Sequence, residues 1–284
     1  MTVRAGAATL ALAAGLLVGC GGGAPLLHPA HALPEGDVTF AAGTSGRFTM
    51  GGLKRAEARL DDAGRLPGGA QDAAERRDFA KGSISRVAVG PGVAPFVAAR
   101  IGLGNHREAG LTYVGRGFRL DGRHAFEWPS LALSFGVAGN VAFSHSSRDL
   151  QPVPGTNTGL RTMSLSSLKG FGLELPMLFG YRSSADVVKL WAGLRAGFER
   201  DYFNASIVVA PDTPVGAEGR ATRYFAGGLV GFAIGLSPIE VRAELDAAYE
   251  SARGTLWLSS ASGDLVGDVA GWSLTPAMAI SAKF

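Results

Sequence analysis

The sequence predicts an all-β fold, an antiparallel transmembrane β-barrel of about ten strands, with eight and twelve strands as the alternatives. Apolar residues alternate with small or polar residues through most of the chain, which is the side-chain period of a β-strand. The alternating segments are about 10 to 20 residues long, whereas strands of soluble proteins usually have about 5 or 6 residues. Their apolar positions hold Leu, Val, Phe and Tyr almost without interruption, as the lipid-facing side of a membrane barrel requires.

The alternation is clearest in four segments, residues 131–145, 169–181, 189–199 and 239–250. We expect the apolar face of each segment to contact lipid and the opposite face to line the lumen. The charged residues predicted on lumen faces are Lys189, Arg195, Glu199, Glu240, Arg242, Glu244, Asp246 and Glu250. We interpret them as a salt-bridge network that satisfies buried charge and makes the barrel rigid. The alternative is a polar lining that selects solutes.

Turn signals predict how these strands are connected. Short turns are expected at residues 104–106, 115–117, 127–130, 183–186 and 235–238. Longer polar connections are expected at residues 147–159, 208–219 and 259–268. Nine strands follow from Val93 onward, and because membrane barrels have an even number of strands, Val38–Met50 is predicted to be the tenth.

Residues 51–92 interrupt the strand pattern. This part of the chain is rich in charge, and residues 71–81 (QDAAERRDFAK) predict one short helical excursion after the first strand. Two placements are open for the segment: an external loop excursion, or a partial plug in a lumen that small side chains leave unfilled.

The first residues of the chain have the pattern of an export signal. Arg4 supplies a positive charge, and residues 7–18 form an apolar stretch too short to span a bilayer comfortably. The stretch ends in Leu17-Val18-Gly19-Cys20, which resembles the lipobox of bacterial lipoproteins. The resemblance implies that residues 1–19 are a signal peptide and that Cys20 carries covalent diacylglycerol and an N-acyl lipid. The alternative is an ordinary signal peptide with an incidental cysteine.

Residues 20–36 are predicted to be a lipidated, flexible tether to a barrel over residues 37–284. Glycines 21–23 and the prolines in this stretch show no core-forming pattern. The residue that follows Cys20 is Gly21 and not an aspartate, and in this the sequence resembles the lipoproteins that are sorted to the outer membrane. Two or three acyl chains give stable anchoring by themselves.

The end of the chain carries a second resemblance. Trp272, Met278 and Ile280 share one strand phase, and the chain closes on Phe284, which resembles the C-terminal signature of bacterial outer-membrane β-barrels. The resemblance implies the outer membrane of a Gram-negative bacterium, with outer-membrane lipid and the barrel-assembly and lipoprotein-sorting machinery as partners. Charged residues are interspersed at a net charge of +3, so we expect no nucleic-acid partner.

Motifs for chemistry are few. The sequence has no phosphate-binding glycine loop, no G-x-S-x-G elbow and no Cys/His cluster, so we expect no metal and no cofactor beyond the Cys20 lipid. His28 and His31, spaced H-x-x-H, are weak evidence for a metal. His145 and Ser147 form an H-x-S pair, which is similar to outer-membrane lipid A deacylases. Arg148 stands where that family's motif has Asn.

These observations predict a non-enzymatic, lipid-anchored outer-membrane barrel with a role in structure or in small-solute passage. Two alternatives remain: a membrane-embedded esterase that uses His145 and Ser147, and a soluble β-lipoprotein that binds a ligand.

Overall fold

The protein is described by a computed structural model over residues 22–63, 72–145, 163–209, 213–258 and 264–284. Within these residues, ten antiparallel strands close into a barrel in sequence order, with the last strand beside the first. The strands are β1 Val38–Met50, β2 Gly92–Gly104, β3 Arg107–Val114, β4 Gly117–Glu127, β5 Leu131–His145, β6 Met163–Arg182, β7 Val188–Val209, β8 Thr213–Leu236, β9 Ile239–Leu258 and β10 Leu265–Lys283. Two helices, α1 Gly52–Ala63 and α2 Ala73–Val89, lie between β1 and β2. The predicted fold class and strand count are confirmed.

The first and last strands close the barrel at one end of the molecule. The backbone nitrogen of Val38 lies 3.0 Å from the carbonyl oxygen of Phe284, and the nitrogen of Phe284 lies 2.9 Å from the oxygen of Val38. The ring of Phe284 contacts Phe40 edge to face, with the ring centroids 6.1 Å apart. The terminal aromatic residue therefore lies in the seam where β1 meets β10.

Polarity is inverted relative to a soluble barrel. On β9, Leu245 is 42% exposed, whereas the side chain of its neighbour Glu244 is buried, with only 4% of its surface exposed. The same alternation runs around the wall, with Leu, Val and Phe outward and charged residues inward. Because water does not stabilise such a surface and lipid does, this is the architecture of a transmembrane β-barrel.

The strands β7 to β10 extend beyond this apolar belt, and there their polarity reverses. Phe203 and Ile207 point inward and are buried, whereas Asn204 on the opposite face is exposed. An extension with apolar residues inside and polar residues outside is suited to water. The continued alternation explains why the predicted connection over residues 208–219 was wrong: β7 runs to Val209 and β8 begins at Thr213.

The predicted short turns are all found at one end of the barrel, except for that at residues 115–116, which joins β3 to β4 at the other end. Between β2 and β3, Asn105 and His106 have φ values of 49° and 56°. Two successive left-handed residues match the twist of a tight antiparallel turn. β10 begins at Leu265, inside the connection predicted over residues 259–268, and the connection predicted over 147–159 lies outside the described residues.

α1 and α2, called the helix pair below, fill the end of the barrel where the longer connections lie. Leu53 of α1 and Phe79 and Ile84 of α2 are fully buried against the inward-facing side chains of β7–β10. Of the two placements open for residues 51–92, the two described helices therefore have that of a partial plug. Neither described helix is long and apolar enough to cross a membrane.

The predicted helix is longer than expected, and α1 was missed. α2 begins with a capping box in which the Asp72 side chain accepts from the backbone nitrogens of Ala74 and Glu75, and it ends at Gly90 with φ of 62°. The apolar face of α1 consists of Leu53, Ala56 and Leu60 only. Their spacing of three and four residues is helical, but the charged residues between them hid the pattern.

Candidate functional site

The site built by the fold is the lumen itself, which has two layers. The layer beside the longer connections is apolar and holds the helix pair. The layer beside the short turns is lined with charged side chains and holds residues 22–36, called the luminal segment below. Residues 25–32 of this segment are all buried. We expected residues 20–36 to be a flexible tether, but residues 22–36 lie in the lumen. The backbone of this stretch forms hydrogen bonds with side chains inside the barrel.

Strand β4 binds the luminal segment along its length. Arg119 donates from Nη1 to the carbonyl oxygen of Pro25 at 3.4 Å. Arg123 donates to the carbonyl oxygen of Pro29 and, at 2.9 Å, to that of His31. Glu127 accepts from the backbone nitrogen of Ala32 at 2.6 Å. Since these three residues follow one another down β4, the luminal segment runs down the lumen beside them.

Strand β9 holds the middle of the luminal segment. The two carboxylate oxygens of Glu244 accept hydrogen bonds from the backbone nitrogens of Leu26 and Leu27, at 2.8 and 2.9 Å. The indole nitrogen of Trp191 donates to the same carboxylate at 3.0 Å. Arg242 donates to the carbonyl oxygen of Leu27 at 3.1 Å. Glu244 thus binds the luminal segment and takes no part in the ion pairs described below.

Apolar contacts fix the segment further. Leu26 and Ala30 pack with Leu178 and Trp191 of the wall. A Cβ atom on Gly180 would lie 2.8 Å from the Cβ atom of Ala30, so this close approach of segment and wall requires glycine there. Packing and hydrogen bonds together make the luminal segment a part of the folded core.

The charged residues predicted to line the lumen all project into it, and most of them form ion pairs. Arg195 lies 2.9 Å from Asp246 and 3.8 Å from Glu174. Arg223 bridges Glu199 at 2.7 Å and Glu250 at 2.8 Å. The third group pairs Glu240 with Lys189 and with Arg242. These are the three ion-pair groups on the β6–β9 side of the lumen.

A fourth ion-pair group, on β2–β4, was not predicted. Arg100 pairs with Glu108 and, at 2.6 Å, with Asp121, while Arg123 lies 2.8 Å from Glu108. The signal was present in the sequence, because Arg119, Asp121 and Arg123 alternate with apolar or small residues along β4. We missed this signal because the outward face of the short strand β4 is less consistently apolar than the outward faces of the longer strands.

A depression, called the rim notch below, opens where the wall is lowest. It lies between the tip of the β3–β4 turn and the end of α2, and Gly22 and Ala24 of the luminal segment line its inner side. Its charged lining consists of Arg47, Arg116, Glu199, Asp201 and Arg223, and its apolar lining includes Phe118, Val141 and Phe171. Arg47 and Arg116 each donate at 2.6 Å to carbonyl oxygens at the end of α2, those of Val89 and Val87.

The remaining candidate residues are placed as follows. Cys20 and Ser147 lie outside the described residues, and so does the side chain of His145, whose backbone pairs with Ser167 at the end of β5. The H-x-S pair therefore stays a prediction. His28 and His31 are buried in the luminal segment, and the described residues contain no group of three or more His, Cys, Asp or Glu that could hold a metal ion.

Fold and lumen together define the class: an outer-membrane type of β-barrel with ten strands and a filled lumen. No protein-family model matches the chain, and no curated protein matches its sequence. Among solved structures, the chain is similar to a major outer membrane protein from Thermus thermophilus, with 12% identity, a TM-score of 0.34, and coverage of 87% of this chain and 99% of that one.

Two further solved structures are similar at the same level. The CymD monoaromatic hydrocarbon channel has 9% identity, a TM-score of 0.33 and 89% coverage of either chain. Neisserial surface protein A has 12% identity and a TM-score of 0.27, with coverage of 87% of this chain and 96% of that one. At such scores these likenesses carry no argument about what this chain does, and the fold stands on the strand pairing itself.

Proposed function

We propose that this protein is a lipid-anchored outer-membrane β-barrel with a closed lumen and a structural, non-enzymatic role. The luminal segment and the helix pair occupy the two layers of the lumen, and this occupation is the observation that carries the proposal. A passive solute path would have to cross the hydrogen bonds that the luminal segment donates to Glu244 and Glu127 and accepts from Arg123. Of the roles expected from the sequence, we therefore favour structure over small-solute passage.

Placement in the outer membrane of a Gram-negative bacterium is part of the proposal. The exposed apolar belt, the even number of strands and the aromatic Phe284 at the closing seam all support it. The end of the barrel where β1 begins and β10 ends carries most of the short turns. It would face the periplasm, since periplasmic turns are short in such barrels. Barrel-assembly and lipoprotein-sorting machinery would then be its partners during export.

The exposed belt also argues against the soluble β-lipoprotein. In a soluble protein, Leu194, Val230 and Ile280 would contact water, because each is more than half exposed. Two measurements test the proposal: gel migration in detergent and conductance in planar bilayers. In detergent, the folded chain should migrate differently from the heated chain, and in planar bilayers it should conduct little. Stepwise, stable open-channel conductance of the intact protein would overturn the closed-lumen proposal.

The lipid anchor rests on the lipobox-like residues that end at Cys20. Because Cys20 is the one thiol of the chain, Cys20→Ala should abolish acylation and block lipoprotein-type processing. Metabolic labelling with a fatty acid decides the point. If the label persists in the Cys20→Ala protein, the anchor is not at this residue.

A further inference from the structure

The course of the luminal segment brings its first residues up to the end of α2, beside the start of β2. The backbone nitrogen of Gly22 donates to the carbonyl oxygen of Gly90 at 3.1 Å, and a Cβ atom on Gly22 would touch Ala94 near the start of β2. At the other end of the segment, Gly36 donates to the carbonyl oxygen of Gly102 at 3.0 Å, near the end of β2. The segment thus spans nearly the whole of β2. Its start lies away from the end where β1 begins.

The wall beside Gly22 is the lowest part of the barrel. β3 and β4 have 8 and 11 residues, whereas β7 and β8 have 22 and 24. The tip of the β3–β4 turn is in register with Asp201 in the middle of β7, because Gly117 pairs with Ala142, Ala142 with Gly170, and Gly170 with Asp201. Beyond this register, β5–β10 have no neighbouring wall on the β2–β4 side among the described residues, and the rim notch occupies that gap.

The rim notch joins the interior to the lipid-facing surface. Gly22 lines it from inside, and Phe118, Val141 and Phe171, which line it from outside, belong to the apolar belt at 43%, 56% and 50% exposure. Tyr202, next to Asp201, is exposed on the outer surface at the same level. Aromatic girdles of membrane barrels lie where headgroups meet acyl chains, so the notch opens at that boundary.

The charged part of the notch is not satisfied by the protein alone. Arg47 is more than nine-tenths buried, and its Nε has no hydrogen-bond partner among the described residues. Buried donors of this kind are normally paired. A ligand with acceptor oxygens beside a long apolar chain would pair this donor and cover the apolar rim at once. The ester and amide oxygens and the acyl chains of a lipidated cysteine have this chemistry.

The chain itself supplies such a ligand next to the notch. Two residues of extended backbone span at most about 7 Å, so the Cα atom of Cys20 must lie within that distance of the Cα atom of Gly22. Within the part of the barrel that the structure describes, the luminal segment and the helix pair occupy the two layers of the lumen, and the notch is the opening that Gly22 itself lines. An acyl chain that stays out of lipid loses the favourable transfer free energy of every CH₂ group, so the chains leave the lumen for the membrane.

We propose that the rim notch is the binding site and exit path of the Cys20 acyl chains, which pass over the β3–β4 tip into the loop-side half of the membrane. The inference rests on the proposed lipidation of Cys20 and adds its location. A flexible tether that left the barrel at the start of β1 would instead place the lipid in the opposite half of the membrane. The short link to Gly22 favours this lipid over free membrane lipid, through its high effective concentration.

Photo-crosslinking from one strand tests the location. The photoreactive residue p-benzoylphenylalanine replaces Phe118 in one variant and, as the matched control, Phe126 in another. Both side chains are outward and exposed on β4, with Phe126 near the short-turn end. After irradiation in cells, the folded barrel is purified by its heat-modifiable migration, digested with protease and analysed by mass spectrometry.

The expected product joins the peptide with position 118 to the peptide that begins at Cys20 through an acyl chain, at about tenfold or greater excess over position 126. An excess at position 126 would put the lipid in the other half of the membrane and overturn the inference. A second result would also overturn it: Cys20 is acylated, but the adducts at position 118 contain membrane lipid and no Cys20 peptide. An unacylated peptide at Cys20 would instead refute the proposed anchor, and the inference with it.

Discussion

The carboxylate of Glu244 lies 2.8 Å from the backbone nitrogen of Leu26, a residue 218 positions earlier in the chain. This contact joins the last third of the barrel wall to the segment that enters the lumen before the first strand. It requires that residues 22–36 occupy the lumen in the folded barrel. The luminal segment and the wall around it therefore depend on each other.

Replacement of Glu244 by Ala should loosen the luminal segment. The change leaves the buried amides of Leu26 and Leu27 and the indole of Trp191 without their acceptor, at a cost of about 1–3 kcal/mol for each unsatisfied group. Hydrogen exchange of residues 22–33 should become faster by at least about tenfold. Glu240→Ala is the matched control, because Glu240 pairs with Lys189 and Arg242 and its carboxylate binds these side chains instead of the segment's backbone. Equal exchange in both variants would contradict the role of Glu244.

A charge on the apolar belt should impair folding into lipid. Leu245→Arg places a cation on the outward face of β9 and should cost about 2–4 kcal/mol if this position lies near the bilayer midplane. Folding yield into lipid vesicles measures the effect. Val266→Arg makes a similar change on the outward face of β10, beyond Trp272 and the belt, and should cost less than about 1 kcal/mol. A soluble barrel would be affected similarly by both substitutions.

The inverted extension should depend on its interior. Phe203 is buried against the helix pair, so Phe203→Ala should destabilise that contact by about 3–5 kcal/mol through lost burial and a cavity. Limited proteolysis should then cut α1 and α2 while the barrel below stays folded. Asn204→Ala, on the exposed face of the same strand, should change nothing measurable. Unchanged resistance of the helix pair in Phe203→Ala would show that this packing is not needed.

Docking of the helix pair should weaken as the pH rises. Burial raises the pKa of Glu57 in α1, although hydrogen bonds from Thr49 at 2.8 Å and Ser85 at 3.2 Å oppose the shift. A carboxyl group with a raised pKa binds its proton more tightly when folded. Its contribution to stability is therefore full below the ordinary pKa and is lost as the pH rises through the raised one.

Hydrogen exchange of α1 between about pH 4 and pH 8, corrected for the intrinsic rate, measures this dependence. Glu57→Gln keeps an acceptor for Thr49 and Ser85 but removes the titration, so its profile should be flat across that range. Asp62→Asn, at an exposed position of the same helix, should keep the slope of the parent protein. A parent profile without slope would contradict the coupling of Glu57 to docking.

Much of the wall could be read from the sequence. The alternation over residues 239–250 correctly placed Val241 and Leu245 outside and Glu244 inside, because side chains of neighbouring strand residues always point to opposite faces. The turns at residues 104–106 and 235–238 carried equally local signals. The same local rule failed beyond the belt, where the polarity of the alternation is already reversed at Phe203 and Ile207, and most of the connection predicted over residues 208–219 is strand.

The charged lumen was predicted only in part. Charges on β7 and β9 stood out against long apolar partner faces, whereas Arg100, Glu108 and Asp121 lie on short strands whose alternation is weaker. Which acid pairs with which base followed from strand register, since Arg195 of β7 meets Asp246 of β9 over the intervening strand β8 and not along one strand. Sequence spacing carries no information on such pairs.

The sequence by itself determined that the wall is a barrel of about ten strands with an apolar outer face, because strand period and side-chain chemistry are local properties. Only the tertiary structure decided where residues 22–36 lie. Glycines and prolines there have no apolar period, and the stretch is ordered by partners up to 218 positions away, such as Glu244. A segment held by hydrogen bonds from distant side chains resembles a tether in sequence and becomes a plug when the barrel closes around it.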